Sequence, residues 1–216
     1  MVPYEHPGEE WSEDEKEFLP TFMHLLGYDK LVLDLAGGYG RATPHLLENK
    51  NVVVLADLSS HSLQLARKTL EPKNVHLIRV DMLHLPFTNH AFNGVWFTQA
   101  FEYVPPDERE SFLRALRAIL EKEGVVFMNV AKVPNECSRL SYLKNYLYWK
   151  LIKRQPVVWG DYIYKLDFPG FKGWHYHSVV FTRRIEKTLR RIGFKILRFK
   201  EYRRDGYPLA YLLQAE

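Results

Sequence analysis

Cysteine is nearly absent from this chain, because Cys137 is the only one among 216 residues. A lone cysteine excludes an intrachain disulfide and a metal site built from cysteines alone, so a reducing, cytoplasmic setting is the expectation. No apolar run approaches the roughly 20 residues of a membrane span, and residues 1–11 lack the apolar core of a signal peptide. We therefore expect no transmembrane segment.

Two common nucleotide-binding signatures are also missing. The chain has no G-x-x-x-x-G-K-[ST] motif, which excludes a P-loop enzyme. The dinucleotide fingerprint G-x-G-x-x-G is interrupted, because Thr43 stands at the third glycine position after Gly38-Tyr39-Gly40. An NAD-linked oxidoreductase is disfavoured but stays open as an alternative.

What the chain does contain fits a packed globular protein. Its hydrophobic content of 46% and aromatic content of 14% are enough for one sizeable domain with its own core. The net charge of +4 is mild. Residues 5–17 are acid-rich, however, and residues 172–204 are strongly basic.

A glycine-rich turn is the most informative motif. The apolar run 31–35 carries one acid, a turn of small residues follows, and a polar segment at 41–49 predicts a helix. A buried parallel strand that leads through such a turn into a helix is a nucleotide-binding arrangement, since small residues let the backbone approach the ligand. The alternative is an ordinary tight turn. The candidate binding residues are Asp34, Ala36, Gly37, Gly38, Tyr39 and Gly40.

The pattern hydrophobic-D-hydrophobic-[AG]-G-G-x-G resembles the first motif of the class I S-adenosylmethionine (SAM)-dependent methyltransferases. That family usually has Gly where this chain has Ala36, and often Cys at Gly37. A second predicted strand, 52–57, ends in Asp57, whose carboxylate can accept both hydroxyls of a ribose. The alternative is that Asp57 merely neighbours the N-cap of a helix at 60–70. Leu58 would lie beside the adenine.

Two later motifs extend the resemblance. Asp81 and Met82 follow a third strand, 75–80, and the resemblance implies that they contact the adenine; the alternative is that Asp81 caps a turn. After a fourth strand in 92–104, Thr98 and Gln99 would lie near the methionine part of SAM. Tyr103 replaces the family's His there. No [DN]-P-P-[YF] box follows this strand, which argues against methylation of exocyclic amines of bases.

The order of elements predicts the fold. Strands and helices alternate through residue 130, including a helix at 105–120 with Gly124 as its C′ cap and a strand at 125–130. A helix at 183–192 then precedes strands 194–202 and 207–213. We expect an α/β fold with a doubly wound, mostly parallel seven-stranded sheet, the Rossmann-like methyltransferase fold.

Three parts of the chain receive different roles in this prediction. Residues 1–30 form an arm and a helix, 13–26, over the cofactor site. Residues 31–130 and 182–216 form the SAM-binding domain, and residues 131–181 form an inserted helical and aromatic substrate lid.

The lid segment admits several interpretations. Its predicted helix, about 138–153, and the aromatic-rich stretch after it suit an enclosed small organic substrate, a lipid surface, or unpaired RNA bases. The aromatics could also simply pack on the domain. His175 and His177 would point the same way on a strand, as a general base or polar contacts. Tyr39, Tyr103 and Trp174 are further pocket candidates. No clear set of metal ligands appears.

The resemblance implies an enzyme that transfers a methyl group from SAM to an O, N or C atom of a small organic substrate by direct in-line displacement. RNA methylation through the basic C-terminal region and a non-catalytic SAM-binding protein are the alternatives. Oligomeric state stays open.

Overall fold

The computed structural model describes residues 11–70, 74–130, 139–168, 171–178, 182–202 and 209–216. The helices are α1 (Glu13–Leu26), α2 (Thr43–Leu46), α3 (Ser60–Thr69), α4 (Arg109–Ala118), α5 (Arg139–Leu147) and α6 (Thr182–Arg191). The strands are β1 (Leu31–Leu35), β2 (Val52–Asp57), β3 (Val75–Arg79), β4 (Phe92–Phe97), β5 (Leu120–Val130), β6 (Asp161–Phe168), β7 (Phe171–Ser178), β8 (Phe194–Glu201) and β9 (Leu209–Ala215). The predicted arm, 1–10, lies outside the described residues.

Seven strands form one sheet in the order β3–β2–β1–β4–β5–β9–β8. The first five in this order pair in parallel, and β9 runs antiparallel to both β5 and β8. The predicted doubly wound, mostly parallel seven-stranded sheet is therefore confirmed. The carboxyl ends of β1, β2, β3 and β4 meet at one edge, where open α/β sheets bind ligands.

Helices cover both faces of this sheet. On one face, α1 buries Phe18 and Phe22 against Trp96 and Phe127. On the other face, α4 and α6 contribute Phe112 and Leu189, among other residues, to a larger core. Burial on both faces explains why β1, β2 and β4 are continuous apolar runs rather than alternating ones.

The α1 helix begins and ends as predicted. The backbone N–H and the hydroxyl of Ser12 both donate to the Glu15 carboxylate, at 3.0 and 2.6 Å, which satisfies groups at the N-terminus. Pro20 is exposed, and the helix continues past it. The Gly27 N–H donates to Met23 O at the C-terminus. Local capping therefore defines both ends of α1.

Two predicted helices have wrong bounds. The helix predicted at 41–49 is a single turn, α2, followed by a 3-10 turn in which Asn49 takes a φ of +61°. The helix predicted at 105–120 is shorter, because Phe92 pairs with Leu120 and draws the chain into β5. Gly124 consequently lies within β5 and caps no helix; its Cβ would lie 3.0 Å from a backbone oxygen.

The inserted segment contains α5, a π turn at Tyr148–Ile152 and a separate hairpin of β6 and β7. Its helical part agrees with the predicted helix at 138–153. The Asn145 side chain exchanges two hydrogen bonds with the Ile163 backbone and fastens α5 to the edge of β6. Near the C-terminus, α6 and the β8–β9 pair confirm the predicted helix and hairpin, whose turn at 204–206 lies outside the described residues.

Candidate functional site

The glycine turn leaves β1 through three residues with positive φ. Ala36, Gly38 and Gly40 have φ values of 54°, 58° and 84°. Within the turn, the Gly40 N–H donates to Gly37 O at 2.9 Å, and the Gly37 N–H reaches Ala56 O on β2 at 3.3 Å. The turn is therefore held against the end of β2.

Gly37 and Gly38 meet different surroundings. A Cβ on Gly37 would lie 2.3 Å from a Leu55 side-chain carbon and 2.6 Å from Asp34, so packing excludes any side chain there. A Cβ on Gly38 would meet nothing within 4 Å. Gly38 therefore presents bare backbone to open space at the sheet edge, which is the kind of cradle that a close-lying cofactor requires.

Asp57, at the end of β2, is bonded to this turn. Its Oδ2 accepts from the Gly38 N–H at 2.8 Å, and its Oδ1 accepts from the Ser59 N–H at 2.8 Å. Ser59 in turn caps α3 by accepting from the Ser62 N–H at 3.1 Å. Asp57 thus neighbours an N-cap, as in the alternative interpretation, while each carboxylate oxygen keeps further acceptor capacity. The Leu58 side chain beside it is exposed.

Asp34 lies beneath the turn. It is buried, and its Oδ2 accepts from the Thr43 hydroxyl at 2.7 Å. Burial raises the pKa of Asp34 to about 7. The Asp34–Thr43 bond ties the end of β1 to the first turn of α2, so this predicted binding residue positions the glycine turn. Tyr39, inside the turn, is half-buried.

The residues after β3 form a turn of their own. Asp81 is exposed, and its Oδ1 accepts from the Leu83 N–H at 3.0 Å while its backbone oxygen accepts from the His84 N–H. Met82 is half-buried against the larger core. The turn-capping alternative for Asp81 is thus observed, and an adenine contact stays a prediction.

The end of β4 carries a second strained residue. Gln99 has a φ of +54°, and its N–H donates to the Asn129 side chain at 2.7 Å. The Asn129 amide donates to Asp14 at 2.9 Å, and burial raises the pKa of this α1 carboxyl group. Thr98 and Gln99 are half-buried, whereas Tyr103 is exposed. The α1 N-terminus therefore reaches the carboxyl edge.

A buried ion pair makes a second link from α1 to this edge. Arg41, directly after the glycine turn, donates to both oxygens of Glu15 at 2.9 and 2.6 Å. Burial alone would raise the pKa of Glu15, but the hydrogen bonds and charge of Arg41 outweigh it and lower that pKa. The Trp11 ring stacks over the Arg41 guanidinium at 5.3 Å. The expected helix over the edge is thus connected to the turn itself.

The inserted hairpin contacts the residues that follow β4. Arg109, at the start of α4, donates to Ser178 O at 2.6 Å and lies over the Phe101 ring. The buried Asp161 accepts from the hydroxyls of Tyr176 and Ser178, both at 2.8 Å. The Arg109 bond therefore docks the hairpin on the domain, and the Asp161 bonds join β6 to β7 within it.

The insertion also builds an aromatic cluster. Tyr142 on α5 meets Trp159 edge-on at 5.0 Å and stacks with Tyr162 at 5.9 Å. Burial raises the pKa of Tyr142 to about 12. Trp174 is exposed and contacts Trp149 at 5.1 Å. Many of the aromatic side chains of the insertion therefore pack on one another.

The two candidate histidines occupy one strand. His175 and His177 pair with Tyr164 and Tyr162 across the hairpin, and their alternation places them on one face of β7. Their side chains lie outside the described part of the structure. Among the residues that are described, no group of three or more His, Cys, Asp or Glu side chains could hold a metal ion.

A family model described as a methyltransferase domain matches residues 32–124. That span runs from β1 through the glycine turn, Asp57 and Asp81 into β5. The match covers 93 of the 216 residues. Together with the sheet order, it makes the chain similar to the class I SAM-dependent methyltransferases.

Solved structures share the methyltransferase fold over nearly the whole chain. A SAM-dependent methyltransferase from Methanosarcina mazei superposes with a TM-score of 0.70 at 19% identity, covering 91% of this chain and 97% of that one. The 1,6-didemethyltoxoflavin-N1-methyltransferase of Burkholderia thailandensis gives 0.61 at 17% identity, covering 94% and 76%. These likenesses support the fold.

A curated relative is the ubiquinone/menaquinone biosynthesis C-methyltransferase UbiE of Shewanella sp. (strain W3-18-1), 32% identical over 119 residues. The match covers 51% of this chain and 47% of that protein, so the chain spans about half the length of the curated relatives it matches. SAM is the cofactor of this methyltransferase family. No helix in the described ranges is long and apolar enough to cross a membrane.

The methyltransferase sheet brings most of the predicted residues to one edge, and it adds others that the sequence did not suggest. The glycine turn, Asp57, Asp81 and the β4 tip all follow strands that end there. Glu15, Arg41 and Asn129 were missed. An S-x-x-E capping pattern indicated the position of Glu15 in α1 but not its partner, because no local pattern specifies a contact 26 positions away.

Proposed function

We propose that this chain transfers the methyl group of SAM to an O, N or C atom of a small organic molecule by direct in-line displacement. The observation that carries the proposal is the hydrogen bond from the Gly38 N–H to Asp57 at the carboxyl edge of the sheet. Gly38 itself faces open space there. A backbone without side chains next to an acid is suited to a ligand that carries both an amino-acid end and a ribose.

The cofactor-holding residues follow from their positions around this edge. Ala36, Gly37, Gly38, Tyr39 and Gly40 would hold the methionine end, with Asp34 fixing the turn from below. Asp57 would accept from the ribose hydroxyls with its free lone pairs, beside the exposed Leu58.

The adenine of SAM would lie at the end of β3, and its methionine part would lie at the end of β4. Asp81 and Met82 follow β3, on the far side of Asp57 from β1, and would contact the adenine. Thr98 and Gln99 follow β4, beside the turn, and would face the methionine part.

The residues of the chain mainly position the reactants in this mechanism. When bound, SAM would supply a methyl group activated by the positive charge on its sulfur, which departs as the neutral thioether of S-adenosylhomocysteine. The α1 contacts and the docked hairpin would exclude water and hold the acceptor in line. His175, His177 and Tyr103 are the candidates for accepting a proton from the substrate.

The aromatic content of the inserted segment favours a substrate with apolar or ring character. The segment carries the cluster of Tyr142, Trp159 and Tyr162. The Arg109–Ser178 bond joins it to the residues that follow β4. Two similar proteins, a 1,6-didemethyltoxoflavin-N1-methyltransferase and a ubiquinone/menaquinone biosynthesis C-methyltransferase, are also named for small ring compounds. We propose that this chain acts on a molecule of that general class.

Methyl-labelled SAM, incubated with the protein and a panel of phenols, quinols and nitrogen heterocycles, tests this function. Label transfer to at least one small molecule is expected, and Tyr162→Ala should raise its KM. Tyr28→Ala is the control, because Tyr28 is an exposed tyrosine in the connection between α1 and β1. Binding of the cofactor without transfer to any acceptor would favour the non-catalytic alternative.

RNA belongs in the same panel as a separate acceptor. Label in RNA, lost at raised salt and after neutralising Arg183, Arg184, Arg190 and Arg191, would overturn the small-molecule assignment. One of these side chains, Arg191, already pairs with Glu110.

A further inference from the structure

The helical segment 139–152, made of α5 and the π turn, has two apolar faces, and the described part of the structure covers only one of them. Tyr142 is buried, and Tyr146 and Trp149 pack on Trp159 and Trp174 of the insertion. A helix repeats every 3.6 residues, so residues spaced by three and four share a face. The side away from Tyr142 carries a row of exposed leucines, Leu140, Leu143, Leu147 and Leu151.

This leucine row is extensively solvent-exposed. Its side chains are between 38% and 65% exposed, and Ile152, the residue after the row, is 69% exposed. Single exposed leucines are ordinary on protein surfaces, but a row over three turns of one helical segment is not. Water contact with such a row is unfavourable, so a partner that removes it from water is indicated.

Basic side chains flank the leucine row. Lys144 and Lys150 are exposed and fall one residue away from Leu143 and Leu151, and Lys153 and Arg154 follow at the end of the segment. No acidic residue occurs between 139 and 154. Long basic side chains beside an apolar face can lay their stems along hydrocarbon while their charges stay at the level of lipid headgroups.

We propose that the leucine row and its flanking lysines dock the lid on an anionic lipid surface. The charge pattern favours this occupant over a second copy of the chain, because a symmetric contact would bring lysines of the same sign together. The segment is helical over 139–152, which suits a helix lying in the interface.

The position of α5 next to the β6–β7 hairpin determines which side of the molecule would face the membrane. The α5 helix is fastened by Asn145 to β6, and Arg109 joins the hairpin of β6 and β7 to the residues that follow β4. Binding at the leucine row would therefore place the lid side of the cofactor edge near the membrane surface. The inference concerns a surface rather than the chemistry, and it does not depend on which atom is methylated.

Flotation with vesicles tests the proposal. The wild type should float with vesicles of phosphatidylcholine plus phosphatidylglycerol, and much less with phosphatidylcholine alone. A triple variant should reduce the bound fraction about tenfold or more; it combines Leu140→Ser, Leu143→Ser and Leu147→Ser. A double variant should reduce binding to the anionic vesicles by a similar factor; it combines Lys144→Glu and Lys150→Glu. Raised salt should weaken it as well.

The control variant is Leu25→Ser, an exposed leucine on α1 outside the lid, which should float like the wild type. S-adenosylhomocysteine (SAH) binding by each variant reports that the cofactor domain is intact. Absence of flotation by wild type that binds SAH would overturn the proposal. So would equal binding to both vesicle types, or concentration-dependent dimerisation that the leucine variant abolishes.

Discussion

The Arg41 guanidinium and the Glu15 carboxylate meet in two hydrogen bonds, Nη2 to Oε1 at 2.6 Å and Nη1 to Oε2 at 2.9 Å. Glu15 is fully buried, and 16% of the Arg41 side chain is exposed. The pair joins the first turn of α1 to the residue that ends the glycine turn. Its main consequence is that helix docking and the shape of the turn are mechanically coupled.

Glu15→Ala should lower the free energy of unfolding by about 3 kcal/mol, because it removes the carboxylate that accepts two hydrogen bonds from a mostly buried guanidinium. Urea unfolding followed by circular dichroism measures this. Glu13→Ala is the matched control, an exposed acid in the same turn, with an expected effect of about 0.5 kcal/mol or less. Equal effects of the two substitutions would show that the ion pair contributes little.

Gly37→Ala and Gly38→Ala should separate the folding role of the turn from its binding role. The first places a Cβ 2.3 Å from Leu55 and should destabilise the fold by roughly 2 kcal/mol or more. The second has room, and its positive φ should cost about 1 kcal/mol. Thermal unfolding with SAH titration distinguishes them: Gly38→Ala should fold yet bind SAH more weakly. Unchanged SAH affinity in that variant would remove Gly38 from the site.

Ala36→Gly should stabilise the protein by up to about 1 kcal/mol. Ala36 has a φ of 54°, which glycine adopts without steric cost, although part of the gain is offset by the greater freedom of the unfolded chain. Ala42→Gly is the control, since Ala42 has a φ of −81° and should lose stability instead. A lower melting temperature for Ala36→Gly would contradict this explanation.

Asp34 should make stability fall as pH rises from about 4 to about 7. Burial raises its pKa from 3.8 to about 7, so the folded chain holds a proton there that the unfolded chain has released. The free energy of unfolding then decreases with pH across that window and levels off above it. Each unit of pKa shift corresponds to about 1.4 kcal/mol.

Asp34→Asn tests this dependence, because an amide oxygen can still accept from Thr43 without titrating. Urea unfolding at several pH values should give a flatter profile for the variant than for the wild type. Asp107→Asn, at an exposed site, should leave the profile as it is. Parallel profiles for wild type and Asp34→Asn would mean that Asp34 is ionised when buried.

The sequence predicted those parts of the fold that have a local signature. The runs at β1, β2 and β4 are apolar because both faces of the sheet are covered, and the turn after β1 needs small residues for the contacts of Gly37. Element order then determined the sheet. The α2 helix was overestimated, because nothing in 41–49 signals the left-handed conformation of Asn49.

The site was less predictable than the fold because its supports are long-range. Asp14 and Asn129 are 115 positions apart, and their bond involves the same Asn129 side chain that accepts from the Gln99 N–H. In the sequence, Asp14 is one more acid in a first helical turn, where the dipole already explains it. Asp14 reaches Asn129, and through it the end of β4, only because α1 packs across the sheet.

Calorimetric titration with SAH tests the central claim most directly, with NADH as the control ligand. The account predicts micromolar SAH binding, a loss of roughly tenfold or more in Asp57→Asn, near-wild-type affinity in Ser59→Ala, and no response to NADH. Ser59→Ala removes the neighbouring helix cap while leaving the Asp57 carboxylate in place. Absence of SAH binding by the folded wild type, or full affinity in Asp57→Asn, would contradict the account, and NADH binding would point to an oxidoreductase instead.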